Sequence, residues 1–419
     1  MNGVRRRGTS GYRRSVPRLR TRTALRATAC FIACVSCWVA PPPARCDRIT
    51  DVFRDELAAL ELGPLAEVLA DTVASTYPVA SASSSVTYAY NPKLEAFERR
   101  TRVLGPVIGE RADTIGERQI NVGISYSYVD LDRIGGTDLD DLENRAIVDG
   151  RVVARRFDNG TVVLADGRRT SFLPARVNAA IDVDAHIVSP FLTVGVTPNW
   201  DVNLTIPVVN SSLSVDVRDE IPDPRLPQFA LPPGSGHAAV RVQHFADSAT
   251  GIGDILVRSK YMLARESPID LAVILGLSIP SGDERNLHGS GSTRVQPTLI
   301  ASRVLFDRIQ PLLNVGVDIN AEDVERSIGR WAAGATAQAY GPLTVSAVFL
   351  GRHEFDEQTD RIDPPFFLQI ERYDIFDAAL GLRFLFADSG VVSVNALLPL
   401  NDEGMRADIV PTVEIQYAF

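Results

Sequence analysis

Ile309-Gln310-Pro311-Leu312-Leu313-Asn314-Val315-Gly316-Val317-Asp318-Ile319 decides how this chain is read. Ile309, Pro311, Leu313, Val315, Val317 and Ile319 fall on one face, while Gln310, Asn314, Gly316 and Asp318 fall on the other. A period of two is the period of a β-strand. It returns in Ile120, Val122, Ile124, Tyr126 and Tyr128 against Asn121, Gly123, Ser125 and Ser127. Trp200, Val202, Leu204 and Ile206 alternate with Asp201, Asn203 and Thr205, and Phe376, Ala378, Leu380, Leu382 and Phe384 with Asp377, Ala379, Gly381 and Arg383. The strands of a soluble sandwich, wet on one face, would alternate too. Strand length and connection therefore have to choose between the two.

The pattern predicts twelve strands at 119–129, 178–197, 199–217, 252–265, 268–280, 291–305, 308–320, 327–340, 342–354, 372–386, 389–400 and 407–419. Most are far longer than the ~5–6 residues of an ordinary strand and suit a tilted bilayer crossing. Their joins alternate in length. Thr197-Pro198-Asn199, Glu266-Ser267, Phe306-Asp307, Gly341 and Ala387-Asp388-Ser389 are short; 130–177, 218–251, 281–290, 321–326, 355–371 and 401–406 are mostly long. Short periplasmic turns and longer extracellular loops characterise bacterial barrels, which also have an even strand count. In lipid only closure leaves no strand edge unpaired. The fold expected is all-β, a transmembrane antiparallel up-and-down barrel of about 12 strands, with 14 as the alternative. The last stretch places Val413, Ile415, Tyr417 and Phe419 on one face. Tyr417 and Phe419 are read as the aromatic signal that engages the barrel assembly machinery.

The N-terminus has another character. Ten arginines lie between Arg5 and Arg45, followed by the apolar run Ala27 to Ala40 and by Pro41-Pro42-Pro43-Ala44. That is signal-peptide logic, and it assigns 1–46 to a leader. All four cysteines, Cys30, Cys34, Cys37 and Cys46, sit in or beside it, so a disulfide framework, zinc spacing and cysteine nucleophiles go with it. Removing ten arginines from a net charge of −9 leaves about −19, which argues against a nucleic-acid partner. Ile49, Val52, Phe53, Leu57 and Leu60 lie on one helical stripe, continued by Leu65, Val68 and Leu69. The region 47–118 is thus an N-terminal segment with an amphipathic helix, either a periplasmic linker or a plug.

Candidate chemistry is thin. His186, His237, His244, His288 and His353 show no i,i+4 metal spacing, and no metal or cofactor is expected. His186, flanked by Asp182 and Asp184, is placed on the lumen face. Ser189 is near it, yet the nucleophile-elbow motif of a hydrolase is missing, and the chain is not read as an enzyme. Gly289-Ser290-Gly291 and Gly251-Ile252-Gly253 do not continue as phosphate loops and are read as rim turns. Asp130, Asp132, Asp138, Asp140, Asp141 and Glu143 lack a calcium-loop register and are read as a solvated loop. A hairpin is expected at Val152–Arg156 and Thr161–Ala165, and the Pro-rich stretch Pro222 to Pro233 is expected to be loop.

The predicted lumen face says more. Asp201, Asp254, Arg258, Lys260, Asp270, Arg294, Asp318, Arg330, Arg352, Asp377, Arg383 and Glu414 point inward, mixed in sign. They are interleaved with Leu256, Met262, Ile274, Ile300, Val348, Leu350 and Leu385. Such charges must pair across the lumen or stand in water. The mixture fits a narrow, partly filled barrel or a path for amphipathic solutes.

Leu104 through Gly116, running into Asn121 through Tyr128, resembles a stretch common in proteins labelled "putative MetA-pathway of phenol degradation". So do Val194-Gly195-Val196-Thr197 to Ile206-Pro207, Gly251-Ile252-Gly253-Asp254 with Lys260-Tyr261, and Leu275 to Ile279-Pro280-Ser281-Gly282-Asp283. The resemblance covers roughly 86–419 and implies an outer-membrane barrel, distantly similar to the long-chain fatty-acid transporters. It implies hydrophobic or aromatic cargo and supplies no site residues; the 130–177 and 222–233 loops depart from it. The expected function is passive uptake of small hydrophobic or aromatic compounds, with 47–118 gating or lining the path. The alternative is a structural or surface-interaction barrel whose loops bind partners.

Overall fold

The computed structural model describes residues 49–50, 81, 86–91, 96–99, 103–143, 155–156, 162–163, 169–170, 176–222, 238–265, 268–355, 360–362, 368–370, 374–386 and 389–419. All belong to the compact unit Asp47–Phe419. The expected leader and most of the expected helix lie outside the described residues.

Fourteen long strand segments build the wall: β1 (Ile120–Leu131), β2 (Arg176–Thr197), β3 (Trp200–Thr205), β4 (Val208–Pro222), β5 (Ala238–Ile252), β6 (Ile255–Ala264) and β7 (Asp270–Ile279). The others are β8 (Arg294–Ser302), β9 (Ile309–Asn320), β10 (Ile328–Tyr340), β11 (Leu343–Glu354), β12 (Asp374–Phe386), β13 (Gly390–Pro399) and β14 (Val410–Ala418). Twelve of them pair antiparallel in a ring, from β1 through β2, β3 and β6 to β14. The ring closes where β14 meets β1, with Val413 opposite Tyr126. Burial alternates residue by residue, so Leu380, Leu382, Phe384, Val413, Ile415 and Tyr417 face out and Arg383, Glu414 and Gln416 face in. So much exposed apolar surface, one row per strand, is stable only against lipid. Aromatic rings mark its short-turn end: Trp200 opposite Tyr261, Tyr340, and Tyr417 beside Phe419 at 4.8 Å. This is an outer-membrane β-barrel.

The two remaining segments correct an expectation. Residues 218–251 were expected as a loop, but β4 and β5 pair without interruption from Val208 opposite Ile252 to Pro222 opposite Ala238. β4 follows β3 after Ile206-Pro207 and pairs with the far half of β2, from Val188 to Arg176. The Pro-rich stretch beyond Pro222 lies outside the described residues. The expected hairpin in the first loop forms, with Arg155 opposite Val163.

This extension reverses the polarity of the wall. Along the membrane half of β2, Leu192 and Val194 face out and Thr193 faces in. In the far half Ile181, Val183, Ala185 and Ile187 are buried inside, and Asp182, Asp184 and His186 are outside. The expected lumen position of that trio is therefore wrong. Odd residues stay inward through Ser189-Pro190 without a shift; what changes is the solvent, from lipid to water, so the polar face turns outward. His186 Nδ1 instead bonds the outward Tyr126 hydroxyl at 2.8 Å.

Candidate functional site

The lumen is crossed by residues 103–119, the stretch containing Leu104 through Gly116. Its backbone is tied to inward side chains of four strands. Leu104 N–H donates to Thr344 Oγ1 (3.4 Å), Ala112 N–H to Ser302 Oγ (3.0 Å) and Ile115 N–H to Asp201 Oδ2 (2.8 Å). Glu110 is held twice by Asn314, which accepts from its N–H and donates to its C=O, each at 2.8 Å. Gln310 Nε2 donates to Asp113 Oδ2 at 3.0 Å. Buried backbone polar groups need such partners, and this segment has no sheet of its own to supply them.

Two glycines allow the close approach. Gly116 adopts φ +108°, and a Cβ there would lie 2.6 Å from the Tyr88 carbonyl oxygen. Gly195, at the β2 bulge, could not carry a Cβ at all, because the Gly116 carbonyl oxygen would be 1.8 Å away. Arg118 N–H and Gln119 C=O pair with the Gly195 backbone there.

The Glu110 carboxylate is the charged centre. It accepts from Ser81 Oγ at 2.9 Å and faces Arg258 at 3.4 Å and Lys260 at 3.9 Å, both cations almost fully buried. Asp201 sits opposite Lys260 across β3 and β6. The apolar inward residues are docking points for the same segment. Ala112 clusters with Met262, Ile274 and Ile300, Ile108 packs on a cluster holding Val348 and Leu350, and Leu104 packs with Leu385. The sequence leaves those residues as apolar islands of either a partly filled barrel or a solute path, and does not tell which residues of 47–118 cover them. The signal available was only the mirrored composition of 104–115, apolar residues around one Glu-Arg pair.

The other predicted inward charges fall in four places. Arg383 and Glu414 pair at 3.3 Å, each 2 % exposed, in the wall between β12 and β14. Arg294, Asp318, Arg330, Arg352 and Asp377 line the long-loop end, where Asp377 also binds Arg406. Asp270 lies at the short-turn end of β7. Asp254, in the break between β5 and β6, is a loop anchor: it accepts from Gly282 N–H, Ser290 N–H and Ser290 Oγ at 3.1, 2.8 and 2.9 Å.

That anchor folds loop 281–290 inward. Gly251 and Gly289 are glycine because a Cβ would strike the His288 ring and Asp254 respectively. The loop buries Leu287 in an apolar cluster with Val183, Ile187, Leu213, Val215, Met405 and Ile49, while Thr50 N–H bonds the Arg285 carbonyl at 3.0 Å. Burial pushes the His288 imidazole below its usual 6.5, so it is neutral when docked. An undocked loop takes up a proton first as pH falls. Docking is therefore complete above about pH 6.5 and weakens as pH falls toward the depressed docked value. Hydrogen-exchange protection of 281–290, corrected for the intrinsic pH dependence of amide exchange, is expected to fall between about pH 7.5 and 5, and to lose that fall in His288→Gln.

Among the described residues no group of three or more His, Cys, Asp or Glu is arranged to hold a metal ion. The acidic loop is instead tied by Arg133, which pairs with Asp132, Asp402 and Asp408.

No curated protein matches the chain. Among solved structures it is similar to the "COG4313 outer membrane channel from Pseudomonas putida F1", with TM-score 0.43, 10% identity, and coverage of 74% of this chain and 98% of that one. A "Pseudomonas aeruginosa FadL homologue" gives 0.34, 9%, 74% and 91%, and the "TodX deltaS2S3 mutant monoaromatic hydrocarbon channel" 0.33, 10%, 80% and 95%. At such scores these likenesses add nothing to a fold that its own strand pairing establishes. A family match is more direct: it spans residues 160–404, which include β2 through β13 and leave the lumen-crossing segment outside. The chain belongs to the family described as "Putative MetA-pathway of phenol degradation".

Proposed function

We propose that this barrel is a transporter for passive uptake of small hydrophobic or aromatic compounds across the outer membrane, and that residues 103–119 are its plug. One observation carries the reading: a segment with no sheet of its own lies across the lumen, held by wall side chains along 104–115 and by backbone pairing with the wall only at its end beside Gly195. Such contacts can be exchanged without breaking the wall, whereas a filled structural barrel needs no detachable filling. The apolar docking points of Met262, Ile274, Ile300 and Val348 would become solute contacts once the segment moves. The family description, which names phenol degradation, supports the cargo class. Uptake of labelled phenol and toluene by intact cells tests it: deletion of the gene should slow uptake and its return restore it, and uptake indifferent to the gene would sink the reading.

The second reading, a surface-interaction barrel, draws on the water-facing wall of Asp182, Asp184, His186, Asp216 and His244. Deleting 208–252 would then abolish partner capture while leaving uptake intact.

Assembly through the aromatic ending belongs to the same proposal. Tyr417 and Phe419 project outward, available to a receptor. Phe419→Ala is expected to lower barrel yield in the outer membrane severalfold while leaving refolding into detergent unchanged; equal losses in both would assign the ring to stability instead.

A further inference from the structure

Ile49 and Thr50 lie at the long-loop end of the barrel. Ile49 N–H donates to Asn286 Oδ1 at 3.2 Å, and Thr50 donates to the Arg285 carbonyl from its N–H at 3.0 Å and from its hydroxyl at 2.9 Å. Arg285 and Asn286 belong to loop 281–290, between β7 and β8, on the side that bacterial barrels turn to the outside. The Ile49 side chain, 2 % exposed, is buried in the apolar cluster that holds Leu213, Leu287 and Met405.

Thirty residues on, the chain is inside the lumen, where Ser81 N–H donates to the Val107 carbonyl at 3.1 Å and the Ser81 hydroxyl holds Glu110. Soon after, it is at the opposite end. The Tyr88 hydroxyl lies 3.0 Å from Ser389 Oγ, next to the start of β13, and Val86 is buried with Leu104 and Val391. The ring is closed by β14 against β1, and lipid surrounds it. A chain cannot cross that wall, so between Thr50 and Tyr88 it descends inside the barrel.

We infer that the N-terminal end of the processed chain is threaded through the barrel to the cell surface, where Ile49 and Thr50 strap loop 281–290 in place. The leader expected at 1–46 directs the chain to the periplasm. Its end reaches the outside only along the lumen, with the ring forming around it. The lumen-crossing segment is then tethered on both sides of the membrane. Arg118 and Gln119 fix it to Gly195 near the short turns, and Thr50 fixes the chain before it to the outer loop. It can leave its docking points but is not withdrawn whole to either side. This course of the chain stands whether or not the barrel transports.

The test is thiol labelling of intact cells with a maleimide on a polymer too large to cross the outer membrane. Arg48→Cys, in a chain carrying Cys46→Ser so that no other thiol follows the expected leader, should react as fully on intact cells as after lysis. Asp47→Cys, as a second position, guards against a shielded thiol. Glu325→Cys, in an exposed outer loop, should behave alike, and Arg308→Cys, beside a short turn, should react only after lysis. Heat-modifiable migration confirms that each barrel is folded. Reaction of both N-terminal thiols only after lysis overturns the inference, as does a mature chain whose first residue, read by mass spectrometry, lies beyond Thr50. Hydrogen exchange reads the strap separately. Ile49→Asp puts a charge into the apolar cluster and should cut the protection of 281–290 about tenfold, the order of one lost buried hydrogen bond, while 103–119 keeps its own. Unchanged protection of 281–290 overturns the strap, and so does an equal loss in 103–119, which would mark general loosening.

Discussion

Glu110→Gln barrels are expected to conduct where the parent chain is silent. The Glu110 carboxylate is the acidic partner of Arg258 and Lys260, and Arg383 also feels its charge. Removing one side of a buried ion pair typically costs about 3–5 kcal/mol, because the remaining charge stays desolvated. Here the cations belong to the wall and the carboxylate to the lumen-crossing segment. The wall cannot move, since β3 and β6 are paired along their length, so the least costly response is for 103–119 to leave and admit water. Planar-bilayer recordings should show steady openings, and protease should reach the segment. Glu117→Gln, an exposed carboxylate in the same segment, should do neither. A Glu110→Gln barrel as silent and as protected as its parent would show that backbone anchors at Asn314, Ser302 and Asp201 suffice alone.

Glu414→Gln should act on the wall instead. Arg383 reaches past β13 to Glu414, and the pair is continued by Gln416, which donates to Glu414 at 2.6 Å and accepts from Asn121 at 2.9 Å. This chain of bonds crosses the seam where the last strand meets the first. The single substitution takes from the buried Arg383 guanidinium its paired carboxylate, and a loss of about 3–5 kcal/mol is expected. Replacing both groups, as Arg383→Met with Glu414→Leu, should recover most of it, since a buried pair is often no better than a packed apolar pair. The temperature at which the folded band shifts in heat-modifiable electrophoresis reads both. Equal midpoints for the single variant and the parent would show that water already solvates the pair.

The ring was legible because lipid and lumen impose opposite demands on alternate residues. The pattern at Ile309–Ile319 or Phe376–Phe384 is strict, and the predicted strand positions agree with the observed segments within a few residues for most of the chain. The extension was not legible for the same reason. A period of two says which residues share a face but not which solvent that face meets. Ile181, Val183, Ala185 and Ile187 read as lipid-facing until the wall is seen to rise into water, so His186 was assigned to the wrong side. The region 218–251 reads as loop because the Pro-rich stretch Pro222 to Pro233 lies within it and speaks against sheet. Within 103–119 no periodicity exists to read. Its Glu-Arg pair and scattered apolar residues gain meaning only when Arg258, Lys260, Met262 and Ile300 are seen opposite them. Gly195 carries no sequence sign of its role at all; only the Gly116 carbonyl against its α-carbon reveals why it has no side chain.

Single-channel conductance of the refolded barrel, with and without residues 47–118, tests the central claim most directly. The account predicts a silent or barely conducting parent and steady openings once those residues are removed. Silence in both would mean that the wall side chains alone fill the lumen. Large openings in both would mean that 103–119 does not obstruct the path, and either result would contradict the plug.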